Sequence, residues 1–340
     1  MADRPILLSL TTMRESGLAR LRAAGELRMA SSLEPSVLHR EIADADALVI
    51  RTAGTIDAAL MDHAPKLRVI GRHGVGYDQV DVPAATERGI QVVYTPGANT
   101  QSVTEHVFAM LIALSKQFPA QTRALADGRY NDRTKLVGRD IAGKTLGIVG
   151  LGRIGKRVGQ VAHAGFGMRV IYADVIDIPV EVEAQAGGAT RVPFDELLAR
   201  ADHVTLHVPL DAGTRRMINR ESLMKLKPGA ILLNTCRGPV CDEGAVAESL
   251  RSGHLFGYGA DVYDVEPPPP DHPLIGRLDL NVLLTPHSAA QTVESLTRMA
   301  NEVAEDVVGV LEGRAPINPV NDPAEVAAVR RELGKPSLRF

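Results

Sequence analysis

Three residues that could together hold a carboxylate and move a proton lie far apart in the 340-residue sequence: Arg237 in Asn234-Thr-Cys-Arg-Gly, Glu266 in Asp261-Val-Tyr-Asp-Val-Glu-Pro, and His287 in Thr285-Pro-His-Ser. An imidazole changes charge near neutral pH, so His287 suits a general base that takes a hydroxyl proton. Glu266 would orient that ring and favour its protonated form, while Arg237 would grip a substrate carboxylate through two parallel hydrogen bonds. The set fits oxidation of a 2-hydroxy acid in which a cofactor carries the hydride and the protein supplies position and charge. Each residue also has a plainer reading. Arg237 or Glu266 could be a solvated loop charge, Asp261 a turn cap, and Pro286 a brace that bends the chain at His287.

A binding motif for such a cofactor is present. Gly150-Leu-Gly152-Arg153-Ile154-Gly155 follows a strand-like run at 145–149 and precedes a helix-like segment at 156–164. In that setting the first glycine allows a tight turn, the second lets backbone approach a pyrophosphate, and the third packs helix on strand, with a helix N-terminus facing the anion. An acidic residue about 20 positions on should meet the ribose hydroxyls, and Asp174 ends the next strand-like run. A carboxylate there favours NAD over NADP, although Arg153 is a cation within the loop that softens the preference.

These residues require parallel strands whose carboxyl ends face one ligand. Short Val, Ile and Leu runs alternate with helix-like segments along almost the whole chain, the pattern of an α/β protein. Strands are expected near 6–10, 47–51, 67–70 and 90–93, with helices at 15–24, 56–64 and 83–88. A second series has strands near 145–149, 169–173, 203–208, 230–234, 257–262 and 281–284. Val103, Val107, Met110, Leu111 and Leu114 recur at helical spacing over 102–116, where Ser102 and Glu105 read as a capping box. The polar stretch 118–140 has no clear period and reads as a loop used in subunit contact. Residues 293–311 are again helical, and the tail returns to the first lobe.

Composition excludes several other classes. With 38 Lys+Arg against 41 Asp+Glu, 45% hydrophobic residues and 4% aromatics, the chain has a foldable composition but neither the basic field nor the stacking platforms of a nucleic-acid binder. No apolar run approaches the roughly 20 residues that cross a bilayer, and the N-terminus carries no signal-peptide pattern. Cys236 and Cys241 are five apart, which is neither a redox pair nor half of a zinc site. The expectation is a reduced, cytoplasmic chain without a metal. Cys236, beside Arg237, is either oxidisable or a small buried hydrophobe.

Over residues 45–318 the combined motifs resemble the D-isomer-specific 2-hydroxyacid dehydrogenase family. That resemblance implies two doubly wound parallel-sheet lobes, with a Rossmann NAD-binding domain (101–288) inserted in a flavodoxin-like substrate domain (1–100 and 289–340). It also implies a homodimer with 118–140 as the contact arm. The family's Arg, Glu and His fall on Arg237, Glu266 and His287. Cofactor contacts fall on the glycine loop and Asp174, then on His207, Pro209, Thr214, Thr235, Cys236, Asp261 and His287 itself. The loop Gly74-Val75-Gly76-Tyr-Asp78 resembles one whose amides bind the substrate carboxylate; a glycine turn at a strand end is its plainer reading. Arg51, Arg72 and the stretch Thr95-Pro-Gly-Ala-Asn99-Thr look most like phosphoglycerate dehydrogenases, in which the two arginines would read the phosphate; both could equally be surface cations. The chain stops near residue 340 without the serine-sensing domain of longer phosphoglycerate dehydrogenases, so serine feedback is not expected. Pro286-His-Ser-Ala-Ala290 lacks the glycines usual in those enzymes, which keeps glyoxylate and hydroxypyruvate reductases in contention. NADH-sensing corepressors share the fold and the triad, and form the alternative outside enzymes.

Overall fold

The computed structural model describes residues 4–51 and 54–338. The first stretch runs β1 (Ile6–Ser9), α1 (Glu15–Ala24), β2 (Glu26–Met29), α2 (Pro35–Glu41), β3 (Ala47–Ile50), α3 (Ala58–Asp62), β4 (Val69–Arg72), α4 (Val82–Glu87) and β5 (Gln91–Val93). The middle stretch runs α5 (Thr100–Ser115), α6 (Phe118–Ala126), β6 (Thr145–Val149), α7 (Arg153–Phe166), β7 (Arg169–Ala173), α8 (Val180–Gln185), β8 (Thr190–Arg191), α9 (Phe194–Arg200), β9 (His203–Leu206), α10 (Arg220–Lys225), β10 (Ala230–Asn234), α11 (Glu243–Arg251), β11 (Leu255–Ala260) and β12 (Val282–Leu284). Two helices follow, α12 (Val293–Leu311) and α13 (Pro323–Glu332). The chain divides into two compact units: Met1–Asn99 with Gln291–Phe340, and Thr100–Ala290. No helix among the described residues is long and apolar enough to cross a membrane.

The first unit holds a five-stranded parallel sheet of order β2-β1-β3-β4-β5, the flavodoxin-like arrangement. Successive strand residues face opposite layers. Leu8, Leu48, Ile50 and Ile70 meet α2, α3 and α4 on one side, while Leu7, Val49 and Val69 meet Val303 and Val307 of α12 on the other. The second unit holds a seven-stranded parallel sheet of order β12-β11-β10-β9-β6-β7-β8, the doubly wound order that reverses beside β6. Within β10, Ile231 and Leu233 pack with Val107, Leu111 and Val158, and Leu232 packs with Leu197, Val204 and Val246. Both faces are covered, which explains the near-continuous apolar strands. At about 1.5–3 kcal/mol for each large apolar side chain removed from water, these two layers fix the strand ends that carry the polar residues.

Some local expectations fail. The capping box does not form: α5 has already begun at Thr100, so Ser102 is buried within the helix and Glu105 accepts the Gln101 amide at 2.7 Å. The stretch 118–140 is not a plain loop. Pro119 opens α6, and a 3-10 turn spans Tyr130–Thr134. Only Ala124 of α6 is buried, so no apolar stripe marks the helix in the sequence. Strand β2, the two-residue edge strand β8 and helix α13 also lie outside the expected elements.

Candidate active site

The carboxyl end of β6 and the start of α7 form the cofactor cradle. Gly150 has φ +93°, and a Cβ there would sit 2.6 Å from the His207 carbonyl oxygen. A Cβ on Gly155 would lie 2.1 Å from the Gly150 carbonyl oxygen, so only glycine lets α7 meet the strand end this closely. Gly152, by contrast, faces open space and supplies no capping side chain to α7. That leaves an uncapped helix N-terminus beside an open glycine, which fits a pyrophosphate. Arg153 is exposed and Ile154 half-buried there. Asp174, just past β7, accepts the Leu151 amide at 2.8 Å and the Ile176 amide at 3.2 Å, tying the ribose-side carboxylate to the glycine loop.

Past β9, the His207 ring lies 3.0 Å from the Thr205 hydroxyl, and burial pushes its pKa down to about 3. It is therefore neutral at neutral pH, and no carboxylate among the described residues hydrogen-bonds it. Pro209 and Thr214 close a turn in which the Thr214 hydroxyl donates to the Pro209 carbonyl at 2.7 Å. Past β10, Thr235 carries a buried hydroxyl with no hydrogen-bond partner among the described residues. An orphaned polar atom at a strand end is what a polar ligand group would satisfy. The residues present thus fit NAD.

Arg237, Glu266 and His287 follow the ends of β10, β11 and β12. Asn234, fully buried at the end of β10, donates to the Arg237 carbonyl at 2.9 Å, and the Arg237 guanidinium donates back to the Cys236 carbonyl at 2.6 Å. Past β11, Glu266 Oε1 accepts the Tyr263 amide at 3.1 Å and Oε2 lies 2.7 Å from His287 Nδ1. Burial raises the Glu266 pKa, but the hydrogen bond and charge of His287, the Tyr263 amide and the Arg237 charge outweigh it and hold the group below its ordinary value. Glu266 is thus an anionic acceptor at neutral pH. With Nδ1 engaged and the side chain 44% exposed, His287 keeps Nε2 for a substrate.

His287 has φ +50°, an uncommon backbone for a non-glycine residue. Asp261 holds it there. Its carboxylate, 1% exposed, accepts the Thr285 hydroxyl at 2.5 Å, the Ser288 amide at 2.7 Å and the Ala289 amide at 2.8 Å. His106 of α5 reaches the same Thr285 hydroxyl at 2.9 Å, and Tyr263 donates to the Thr285 carbonyl at 2.9 Å. Asp261, expected beside the cofactor, spends both oxygens on the loop of His287. His106, Tyr263 and Asn234 were missed in the sequence. A lone histidine on the otherwise apolar face of α5 was the one available signal.

Gly238 joins the Arg237 and Glu266 segments. A Cβ there would fall 1.8 Å from the Tyr263 carbonyl carbon and 2.4 Å from the Asp264 nitrogen, backbone atoms that cannot swing away. Gly238→Ala is expected to cost about 1–3 kcal/mol of stability by overpacking and to lower kcat in the folded enzyme. Thermal unfolding and initial rates check this against Gly165→Ala, whose Cβ meets nothing within 4 Å.

The remaining expected residues belong to the first unit. β3 and β4 pair with Ile50 opposite Arg72, so Arg51 and His73 leave neighbouring strand ends. Arg72 is 8% exposed and donates to the His73 carbonyl at 2.5 Å, which overturns its reading as a surface cation. Gly74, at φ +143°, leaves room for that guanidinium. His73 is buried with both ring nitrogens unpartnered among the described residues; burial, then the charges of Arg51 and Arg72, push its pKa down to about 4. Val75 and Gly76 are half-buried, and Asn99 has a buried Oδ1 with no partner among the described residues. Both cysteines are buried, and burial pushes both thiols up, so neither is poised for oxidation.

Comparison with known proteins now adds a decisive observation: the NAD binding domain of D-isomer specific 2-hydroxyacid dehydrogenases matches residues 108–289. The chain belongs to that family. This D-isomer specific 2-hydroxyacid dehydrogenase is 39% identical over 336 residues to a glyoxylate reductase of Korarchaeum cryptofilum, covering 96% of this chain and 98% of the relative. It is 41% identical over 317 residues to a D-3-phosphoglycerate dehydrogenase of Methanocaldococcus jannaschii, covering 93% of this chain but only 59% of that longer protein. Among solved structures it is similar to D-lactate dehydrogenase from Aquifex aeolicus complexed with NAD and lactic acid. The TM-score is 0.81 at 28% identity, over 91% of this chain and 96% of that one. The family is one of NAD-dependent oxidoreductases, and the glycine cradle in this dehydrogenase lies within the matched NAD-binding region.

Proposed function

We propose that the enzyme interconverts D-3-phosphoglycerate and its 2-oxo acid, with Arg237, Glu266 and His287 as the catalytic residues. The observation that carries the substrate assignment is Arg51. This arginine is half-buried at a strand end, and burial pushes its pKa down, with no carboxylate among the described residues to restore it. A partly desolvated cation without a counter-charge is costly unless an anion arrives. With Arg72 next to it across the β3–β4 pair, the site suits a phosphate.

In this reading the second unit binds NAD and the first unit binds substrate through Arg51, Arg72, the amides of Val75 and Gly76, and Asn99. Arg237 holds the carboxylate and orients C2. His287 Nε2 takes the 2-hydroxyl proton during oxidation and returns it during reduction, while Glu266 stays ionised on Nδ1 and balances the imidazolium. NAD, when bound, supplies the hydride acceptor. The enzyme would work in the cytoplasm as a homodimer. Phe118, Leu125, Tyr130 and Val137 leave an exposed apolar surface on the 118–140 arm that a second copy would cover.

A second reading, reduction of glyoxylate or hydroxypyruvate, is supported by the near full-length match to a glyoxylate reductase. Initial rates with 3-phosphoglycerate and NAD, set beside glyoxylate and hydroxypyruvate with NADH, separate the two. Loss of a charge-assisted contact worth about 1.5–3 kcal/mol in Arg51→Ala should raise KM for 3-phosphoglycerate about 10- to 100-fold and spare hydroxypyruvate. Turnover of unphosphorylated acids alone would favour the second reading. NADH binding without turnover of any acid would favour an NADH-sensing binding protein.

A further inference from the structure

Glu243, the first residue of α11, is only 10% exposed at its side chain, and helix capping is done by its neighbour Asp242, which accepts the Ala245 amide at 3.0 Å. Its carboxylate turns instead to the segment that carries Glu266. Oε1 accepts the Asp264 amide at 3.3 Å, and Oε2 lies 3.0 Å from Nε2 of His272, a ring 3% exposed. The His272 Nδ1 accepts the Leu274 amide at 3.3 Å, so in the neutral ring Nε2 carries the proton; it meets Glu243 at ion-pair distance but outside hydrogen-bond geometry. One buried carboxylate therefore grips residues 264 and 272, on either side of Glu266 and the four prolines that follow it. The His272 ring also meets Tyr263 edge-on at 5.4 Å; Tyr263 in turn donates its amide to Glu266 and its hydroxyl to the His287 segment.

We propose that Glu243 and His272 are positioning residues for the dehydrogenase reaction: a second carboxylate–histidine pair that straps the 264–272 segment to α11 and keeps Glu266 on Nδ1 of His287. This rests on the assignment of Glu266 as the holder of the catalytic ring. Among the described residues no other buried carboxylate–histidine contact holds this exposed, proline-stiffened loop, and a displacement near 1 Å at a ring holder is felt in the chemical step.

The test uses the full chain with NAD and whichever acid it turns over. His272→Ala should lower kcat about 10- to 100-fold, leaving the NADH dissociation constant unchanged by fluorescence titration. His272→Gln, whose side-chain amide keeps a polar N–H within reach of Glu243, should restore part of that loss. In a Glu266→Gln background, His272→Ala should have little further effect, because the two act through one contact. Glu243→Ala provides the same comparison should His272→Ala fail to fold. The proposal is overturned if the alanine variants lower only the melting temperature, or if their losses multiply with that of Glu266→Gln. Wild-type turnover in Glu266→Gln would instead show that the role assigned to Glu266 is wrong, and the strap would fall with it.

Discussion

His287→Asn is expected to lose about 10²- to 10⁴-fold in kcat while binding NADH as tightly as the parent enzyme. The reason is geometric. Nδ1 lies 2.7 Å from Glu266, which leaves Nε2 as the ring nitrogen for the proposed proton transfer. His207 is the other histidine just past a strand of this sheet, but burial keeps it neutral and Thr205 holds its Nε2. Asparagine is preferred to alanine here because His287 sits at φ +50°, a conformation that asparagine tolerates, so backbone strain is not added to the loss of the ring. Stopped-flow turnover beside NADH fluorescence titration measures both quantities. Lost NADH affinity with proportionate loss of turnover would make His287 a structural residue of the cradle.

Arg237→Ala should cost about 10²- to 10⁴-fold in kcat/KM, the value of two charge-assisted hydrogen bonds to a carboxylate. The guanidinium is pre-aimed by its own bond to the Cys236 carbonyl and by Asn234, which anchors the Arg237 backbone. Lysine at this position keeps the charge but loses the planar fork, so Arg237→Lys should recover only part of the loss. Added guanidinium should rescue Arg237→Ala and leave the parent enzyme unaffected. Steady-state kinetics decide the matter, and an unchanged kcat/KM in Arg237→Ala would remove the arginine from the site.

What was legible in the sequence follows from how locally each feature is encoded. Strands β6, β7 and β10 are buried on both faces, so their apolar runs carry both position and length, and they match the expected ranges 145–149, 169–173 and 230–234. Strand β2 alternates charged and apolar residues at a sheet edge, with no fully buried position to announce it. Helix α6 buries a single alanine, and α13 has a weak apolar stripe around Val326. The reactive residues were visible because each stands just past a strand. Their supports were not, because those contacts join segments remote in the chain. Asp261 reaches the Ala289 amide across 28 residues, and His106 reaches Thr285 across 179. The same holds for Gly238, whose need for glycine arises only where the β10 and β11 connections touch.

The measurement closest to the central claim is the appearance of reduced nicotinamide when the enzyme and NAD meet matched D and L enantiomers of 2-hydroxy acids, with 3-phosphoglycerate included. The account predicts saturable turnover of D enantiomers alone, lowered at least about 100-fold in Arg237→Ala and in His287→Asn. Turnover of L enantiomers, or D turnover that either substitution leaves at the parent rate, would contradict it.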